Sequence, residues 1–169
     1  MTQPDFDVVI AGGGIHLVDL LLWITGQRPT VVSAFGNRLC TKDTRFRYAD
    51  YVAATMALPD GMIARITANF GCVHGHQHVV RAFGTMATFI YDDKGPRWQA
   101  HRDPAPPAIP LNVAPLPTSK HELIPRFIDA ILRDEDLNFE TQMDFDSLSV
   151  CFACDAALQT QTSHQVQYV

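Results

Sequence analysis

Lysine is rare in this sequence, and its cations do not run together. Only Lys42, Lys94 and Lys120 stand among 13 basic residues, and the formal net charge is −5. Nucleic-acid binding needs a surface that tracks phosphates, which this composition does not supply, so no nucleic-acid partner is expected. Long apolar runs are also missing. The longest, Ile15 to Ile24, is about half a bilayer span and carries His16 and Asp19, so no membrane crossing is expected. No charged-then-apolar leader opens the chain, which speaks against a signal peptide. Four cysteines in 169 residues are too few for a disulfide framework, and a reducing cytoplasm is the expected compartment.

What is present reads as one globular domain, residues 1–169, since 47% of the residues are hydrophobic. A helix is predicted from Ile15 to Thr25, stopped by Gly26 with Pro29 beyond. Leu17, Val18, Leu21 and Leu22 make one apolar stripe on it, and His16, Asp19, Leu20 and Trp23 fall on another side. Strands are predicted at Thr30–Phe35, Tyr48–Leu58, Met62–Phe70, His76–Phe83, Ala87–Tyr91 and Arg97–His101. A polar loop with Arg38, Lys42, Arg45 and Arg47 separates the first two. Pro59-Asp60-Gly61 is a turn, because proline presets φ and glycine accepts a positive one.

Six prolines between Asp103 and Pro117 make an extended connection without helix. Ser119 to Glu122 has the capping-box pattern ahead of an apolar-periodic run through Leu132, although Pro125 conflicts with a helix starting at Ser119. A last helix is predicted from Thr141 to about Gln161, and Val166–Val169 could add an edge strand. This order implies an α+β fold: an open, mainly antiparallel or mixed sheet with helices on one face. The uncovered face is expected to pair with a second subunit.

Asp7 to Gly14 opens like a dinucleotide-binding unit. The fingerprint then needs a third glycine where Leu17 stands, and an acidic residue after the next strand, where Asn37 and Arg38 stand. The stretch therefore reads better as a glycine turn before a helix, and no cofactor site is expected here. His16 and Asp19 are three residues apart on that helix. A carboxylate beside an imidazole fixes its tautomer and suits it to move a hydroxyl proton near neutral pH. A solvated polar pair at a helix start is the plainer alternative. His74, His76 and His78 alternate, so on a strand they would share one face. Metal binding is disfavoured by Gly75, and contact with a substrate, joined by Asn69, is preferred. Cys151 and Cys154 lack a second pair and read as small core residues one helical turn apart.

The run Gly12-Gly13-Gly14-Ile15-His16-Leu17-Val18-Asp19-Leu20-Leu21-Leu22-Trp23-Ile24-Thr25-Gly26, with Arg28-Pro29 and Val31 to Ala34 after it, resembles the start of the C-terminal domain of the glucose–fructose oxidoreductase / inositol dehydrogenase / MocA family. The resemblance continues through Asp60-Gly61-Met62, Ile66 to Phe70, Phe83 to Phe89 and Phe127 to Ile131. It covers about residues 11 to 169. It implies a fold like the C-terminal domain of glyceraldehyde-3-phosphate dehydrogenase, which binds substrate and makes oligomer contacts. It also implies an N-terminal Rossmann domain for NAD or NADP, and hydride transfer to or from sugars and cyclitols. His16 matches the family's usual acid/base histidine, and Asp19 the acidic residue after it.

Two departures stand out. The aspartate that family members often place between the glycines and the histidine has no counterpart. The Rossmann half, with the lysine of its Glu-Lys-Pro motif, is also missing, so turnover by this chain alone is not expected. A fragment, a truncated gene product, or a stand-alone dimerisation or ligand-binding domain that lost its cofactor half all remain open.

Overall fold

The computed structural model describes residues 13–103, 105–113 and 123–169. The chain forms two compact units, Met1–Val73 with Asp136–Val169, and His74–Glu135.

The first unit is built on α1 (Ile15–Thr25), β1 (Val31–Asn37), β2 (Tyr51–Ala57), β3 (Ile63–Asn69), α3 (Asn138–Thr160) and β8 (His164–Gln165). Its strands lie in the order β3-β2-β1-β8, and every pairing is antiparallel. A dinucleotide unit would need parallel neighbours joined by a helix. β1, the strand after α1, has antiparallel neighbours on both sides, so α1 does not lead into a parallel pairing among the described residues.

α1 has the bounds that its flanking glycines predict. Gly14 is its N-cap, and Gly26 closes it at φ 62° with its N–H donating to the Leu22 carbonyl. Side chains in a strand alternate between faces. Val32 and Ala34, Val52, Ala54 and Met56, and Ile66 turn inward, while Phe35 and Ile63 stand outward and exposed. Val18 and Leu22 of α1 and Val150, Cys151, Cys154 and Ala157 of α3 meet the inward face. The essentially sealed Val18, Val32, Val52 and Val150 each stabilise the unit by about 1.5–3 kcal/mol. Burial pushes both CxxC thiols up to about 12, so Cys151 and Cys154 are core residues.

Small residues let these layers close. A Cβ on Gly36 would lie 2.9 Å from the Tyr51 carbonyl oxygen and 3.0 Å from Leu158 Cδ2. The other end of α3 is tied down by polar contacts. Arg28 pairs with the nearly buried Asp146 at 2.6 Å, and Tyr168 donates to the Pro29 carbonyl at 2.7 Å. α3 and β1 thus run the same way, with Asp146 beside residues 28–29 and Leu158 over Gly36. The edge strand forms at His164–Gln165, two residues ahead of its predicted place. Val166 still anchors the tail, donating its N–H to the Thr30 carbonyl at 3.0 Å.

The second unit carries β4 (Val80–Phe83), β5 (Thr88–Asp92), β6 (Gly95–Gln99), β7 (Ile109–Pro110) and α2 (Leu123–Leu132). Its sheet order is β4-β5-β6-β7, again antiparallel. The β5–β6 hairpin turns at Gly95, with φ 81°, and Arg97 grips Asp92 through two contacts of 2.7 and 2.8 Å. That bidentate pair holds the Asp92 carboxyl well below the ordinary range. β7 lies inside the proline-rich connection. Pro110 pairs with Arg97 at the sheet edge, where its missing N–H leaves no ladder bond unmade. The capping-box segment lies outside the described residues. α2 exposes Ile124, Phe127, Ile131 and Leu132 along one stripe.

Candidate active site at one end of the first unit

Three segments converge where α1 begins. The Phe70 ring, just past β3, lies against Gly13, where a Cβ would sit 2.6 Å from its Cζ. Phe70 donates its N–H to the Asp50 carbonyl at 2.8 Å. Gly71 packs on Cys40, whose Sγ would lie 2.6 Å from a Cβ built there. The first turn of α1, the exit of β3 and the loop from Arg38 to Asp50 are therefore neighbours.

His16 and Asp19 both stand exposed at this end, on the flank of α1 that also exposes Trp23. The opposite stripe packs on the core through Leu17, Val18, Leu21 and Leu22. The helical period accounts for this division. An imidazole within reach of solvent, with a carboxylate one turn on, is chemically able to take a proton from a bound hydroxyl and return it.

Asn69 ends β3, and its Oδ1 accepts from the N–H groups of Gly71 at 2.9 Å and Cys72 at 3.0 Å. Its side chain thus shapes the turn that carries Phe70, an Asx-type role. The side-chain N–H2 has no hydrogen-bond partner among the described residues and can serve a ligand. His76 and His78 belong to the second unit. They precede β4, which starts only at Val80, so the strand predicted from His76 is shorter than expected. Their rings meet edge to face, with centroids 5.1 Å apart. His74 turns back on its own segment, its Nδ1 lying 2.8 Å from the Gly75 carbonyl oxygen. Among the described residues no group of three His, Cys, Asp or Glu side chains could hold a metal ion.

Two carboxylates at this unit were not legible as functional or structural groups. Asp50 is fully buried, and its Oδ2 accepts from the Thr41 N–H at 2.6 Å and hydroxyl at 2.9 Å. Burial alone would push its pKa up. The Thr41 donors, with the N–H groups of Cys40 and Leu39, outweigh burial and hold it below the ordinary range. Its partner lies nine positions back with no periodic signal between them.

Asp155, half-buried on α3, behaves oppositely, because burial raises it from an ordinary 3.8 to about 6. The native state then binds this proton more tightly than the unfolded chain. Its contribution to stability is full below pH 3.8 and is lost as the pH rises through about 6. Asp155→Asn should raise the thermal midpoint by about 2–4 °C at neutral pH and by much less near pH 4. Equal shifts at both pH values in a melting series would contradict this.

An open apolar groove of about 490 Å³ lies elsewhere in the unit, between α3 and the tail, lined by Phe145, Leu148, Phe152, Ala156 and Val169. It touches none of the residues at the His16 end. No helix among the described residues is long and apolar enough to cross a membrane.

The same architecture occurs in solved oxidoreductases. Aldose–aldose oxidoreductase from Caulobacter crescentus, solved with glycerol, superposes over 98% of this chain and 52% of its own, at a TM-score of 0.75 and 17% identity. UDP-N-acetylglucosamine 3-dehydrogenase from Acidithiobacillus ferrooxidans matches over 92% of this chain and 48% of its own, at 0.70 and 23%. Scyllo-inositol dehydrogenase from Lactobacillus casei, solved with NAD(H) and scyllo-inositol, matches over 96% and 49%, at 0.65 and 17%. Likeness at these identities establishes the open α+β fold, and the chain spans about half the length of each of these proteins. No curated protein sequence matches it. Residues 6–90, half of the chain, match the GFO/IDH/MocA C-terminal domain. With the fold and the glycine–histidine–aspartate helix start in agreement, the chain belongs to the GFO/IDH/MocA oxidoreductase family and carries its C-terminal domain.

Proposed function

We propose that this chain is the substrate-binding and oligomerisation half of an NAD(P)-dependent oxidoreductase acting on a sugar, cyclitol or related polyol. The observation that carries the reading is the exposed His16–Asp19 pair on the first turns of α1, in a chain of this family. His16 takes the proton of the reacting hydroxyl and returns it in the reverse direction, and Asp19 orients the imidazole. Asn69, in the same unit, contacts the substrate; His76 and His78 belong to the second unit, and their proposed substrate contact rests on the sequence pattern alone.

Two features speak against a dinucleotide on this domain. Phe70 occupies the space beside Gly13, and β1 has only antiparallel neighbours. The nicotinamide, which accepts or supplies the hydride, is therefore assigned to a separate Rossmann domain. The outward face of β3-β2-β1, with Phe35 and Ile63 exposed, is where a second copy would pack in the cytoplasm.

A thermal-shift titration of the chain tests the division of labour. A millimolar-affinity polyol at ten times its Kd stabilises the native state by about 1.4 kcal/mol. Scyllo-inositol or glucose should raise the melting temperature and NAD or NADP should not. Stabilisation by a nicotinamide cofactor alone would contradict the proposal. A stable dimer indifferent to every polyol would favour a non-catalytic dimerisation module instead.

A further inference from the structure

We infer that Cys40 and Cys72 form a reversible disulfide that ties the loop after β1 to the exit of β3. The chain has four cysteines, and they divide cleanly. Cys151 and Cys154 are sealed in the core, whereas Cys40 and Cys72 stand exposed with free thiols. These two are far apart in the chain but lie in the same unit, and Gly71 brings them together. The Cys40 side chain fills the place a Cβ on Gly71 would take, its Sγ 2.6 Å from that position. Cys72 is the next residue, one trans peptide step of about 3.8 Å further on. The Cys40 Sγ is therefore at most about 8 Å from the Cys72 Cα.

Asp50 holds both sides of this contact. Its carboxylate accepts from the N–H and hydroxyl of Thr41, next to Cys40, at 2.6 and 2.9 Å. Its carbonyl accepts from the N–H of Phe70, two residues before Cys72, at 2.8 Å. Arg38, on the other side of Cys40, donates to the carbonyls of Phe46 at 3.1 Å and Lys42 at 3.4 Å. Asn69 Oδ1 accepts from the Cys72 N–H at 3.0 Å. Past that bond Cys72 enters a stretch without a ladder partner before Val80. Rotation of its side chain and a tightening of the turn close the remaining distance without breaking a strand.

The oxidant is a low-molecular-weight disulfide such as oxidised glutathione. The thiolate of one cysteine attacks it and releases one glutathione, and the second thiolate displaces the other. One S–S bond forms in the protein and one breaks in the oxidant. The two thiol protons end on two molecules of reduced glutathione. Exposed disulfides are the labile ones, so a thiol reductant reverses the bond. Phe70, between Asn69 and Gly71, packs on Gly13 ahead of α1, so oxidation stiffens the end of the unit that carries His16.

Intact mass spectrometry of the 169-residue chain treated with oxidised glutathione tests this. Iodoacetamide should label two cysteines of the native reduced protein, and all four only after unfolding. The oxidised protein should be lighter by two hydrogens and take up no label while folded. Cys40 and Cys72 should then share one linked peptide, and dithiothreitol should restore both thiols. The bond closes a loop of about 30 residues, so the melting temperature should rise by about 5–10 °C on oxidation. Cys40→Ser and Cys72→Ser should each stop at a single glutathione adduct and show no such rise. Two glutathione adducts persisting on the wild-type protein, linkage only between separate molecules, or two labelled cysteines after oxidation would overturn the inference. A crosslink through Cys151 or Cys154 would do the same. None of these readouts depends on the chemistry proposed for His16.

Discussion

Asp50→Ala should lower the melting temperature by about 10 °C and release the loop between β1 and β2. The carboxylate is fully buried, and it takes the N–H and hydroxyl of Thr41 on one oxygen. Its removal strands those donors without water, at about 1–3 kcal/mol for each. Roughly 3–4 kcal/mol follows, which is large against a typical domain stability. For a chain of this length 1 kcal/mol moves the midpoint by about 2–4 °C.

The pH dependence has a definite sign. The folded-state carboxyl sits below its ordinary 3.8, so its stabilisation is present above that value and is lost as the pH falls through the folded pKa. The wild-type protein should therefore lose stability on acidification below about pH 4, and Asp50→Ala should show a flatter acid limb. Hydrogen exchange at the Thr41 amide gives a local readout, protected in the wild type and fast in the variant. An unchanged midpoint with a protected Thr41 amide would refute the role given to Asp50.

His16→Ala should cost about 10²–10⁴ in turnover of the assembled oxidoreductase, the usual worth of a positioned proton carrier. The side chain is exposed, and the α1 stripe that packs on the core lies on the other flank. The melting temperature should accordingly stay within a degree or two of wild type. A fall in kcat with substrate binding retained marks a group that acts in the transition state rather than in holding the ground state. Asp19→Asn should give a smaller loss in kcat, since the carboxylate is proposed to act by orienting the imidazole.

The two residues thus test different layers. Asp50 reports on the scaffold that brings α1, β3 and the basic loop together, and His16 reports on the chemistry proposed at that scaffold's edge.

What could be read in advance depended on whether the cause was local. α1 was legible to its last residue because glycine marks both ends and a 3.6-residue stripe fills the middle. The β2–β3 hairpin was legible because Pro59-Asp60-Gly61 carries its own turn chemistry. Asp60 accepts from the Met62 N–H at 2.8 Å, and Gly61 sits at φ 88°.

The strand predicted from His76 was not so constrained. Alternation alone suggested it, but residues 74–79 find no ladder partner before Val80. The convergence of Gly13 with Phe70, and of Gly71 with Cys40, joins segments 57 and 31 residues apart, respectively. No pattern in either segment announces the other, although the glycine at each contact is the trace such close approach leaves. The basic loop was visible as composition. Its rigidity was not, because the buried Asp50 that fixes it lies at the loop's far end.

The central claim is that this domain supplies the proton-transfer side of a nicotinamide-dependent oxidation. Its most direct test is the steady-state rate of NAD(P)-linked sugar oxidation by the assembled protein, nicotinamide domain included, for wild type and His16→Ala. The account predicts measurable turnover by the wild type and a loss of about 10²–10⁴ in kcat for a variant that still folds and still binds the sugar. Turnover undiminished by His16→Ala would contradict it.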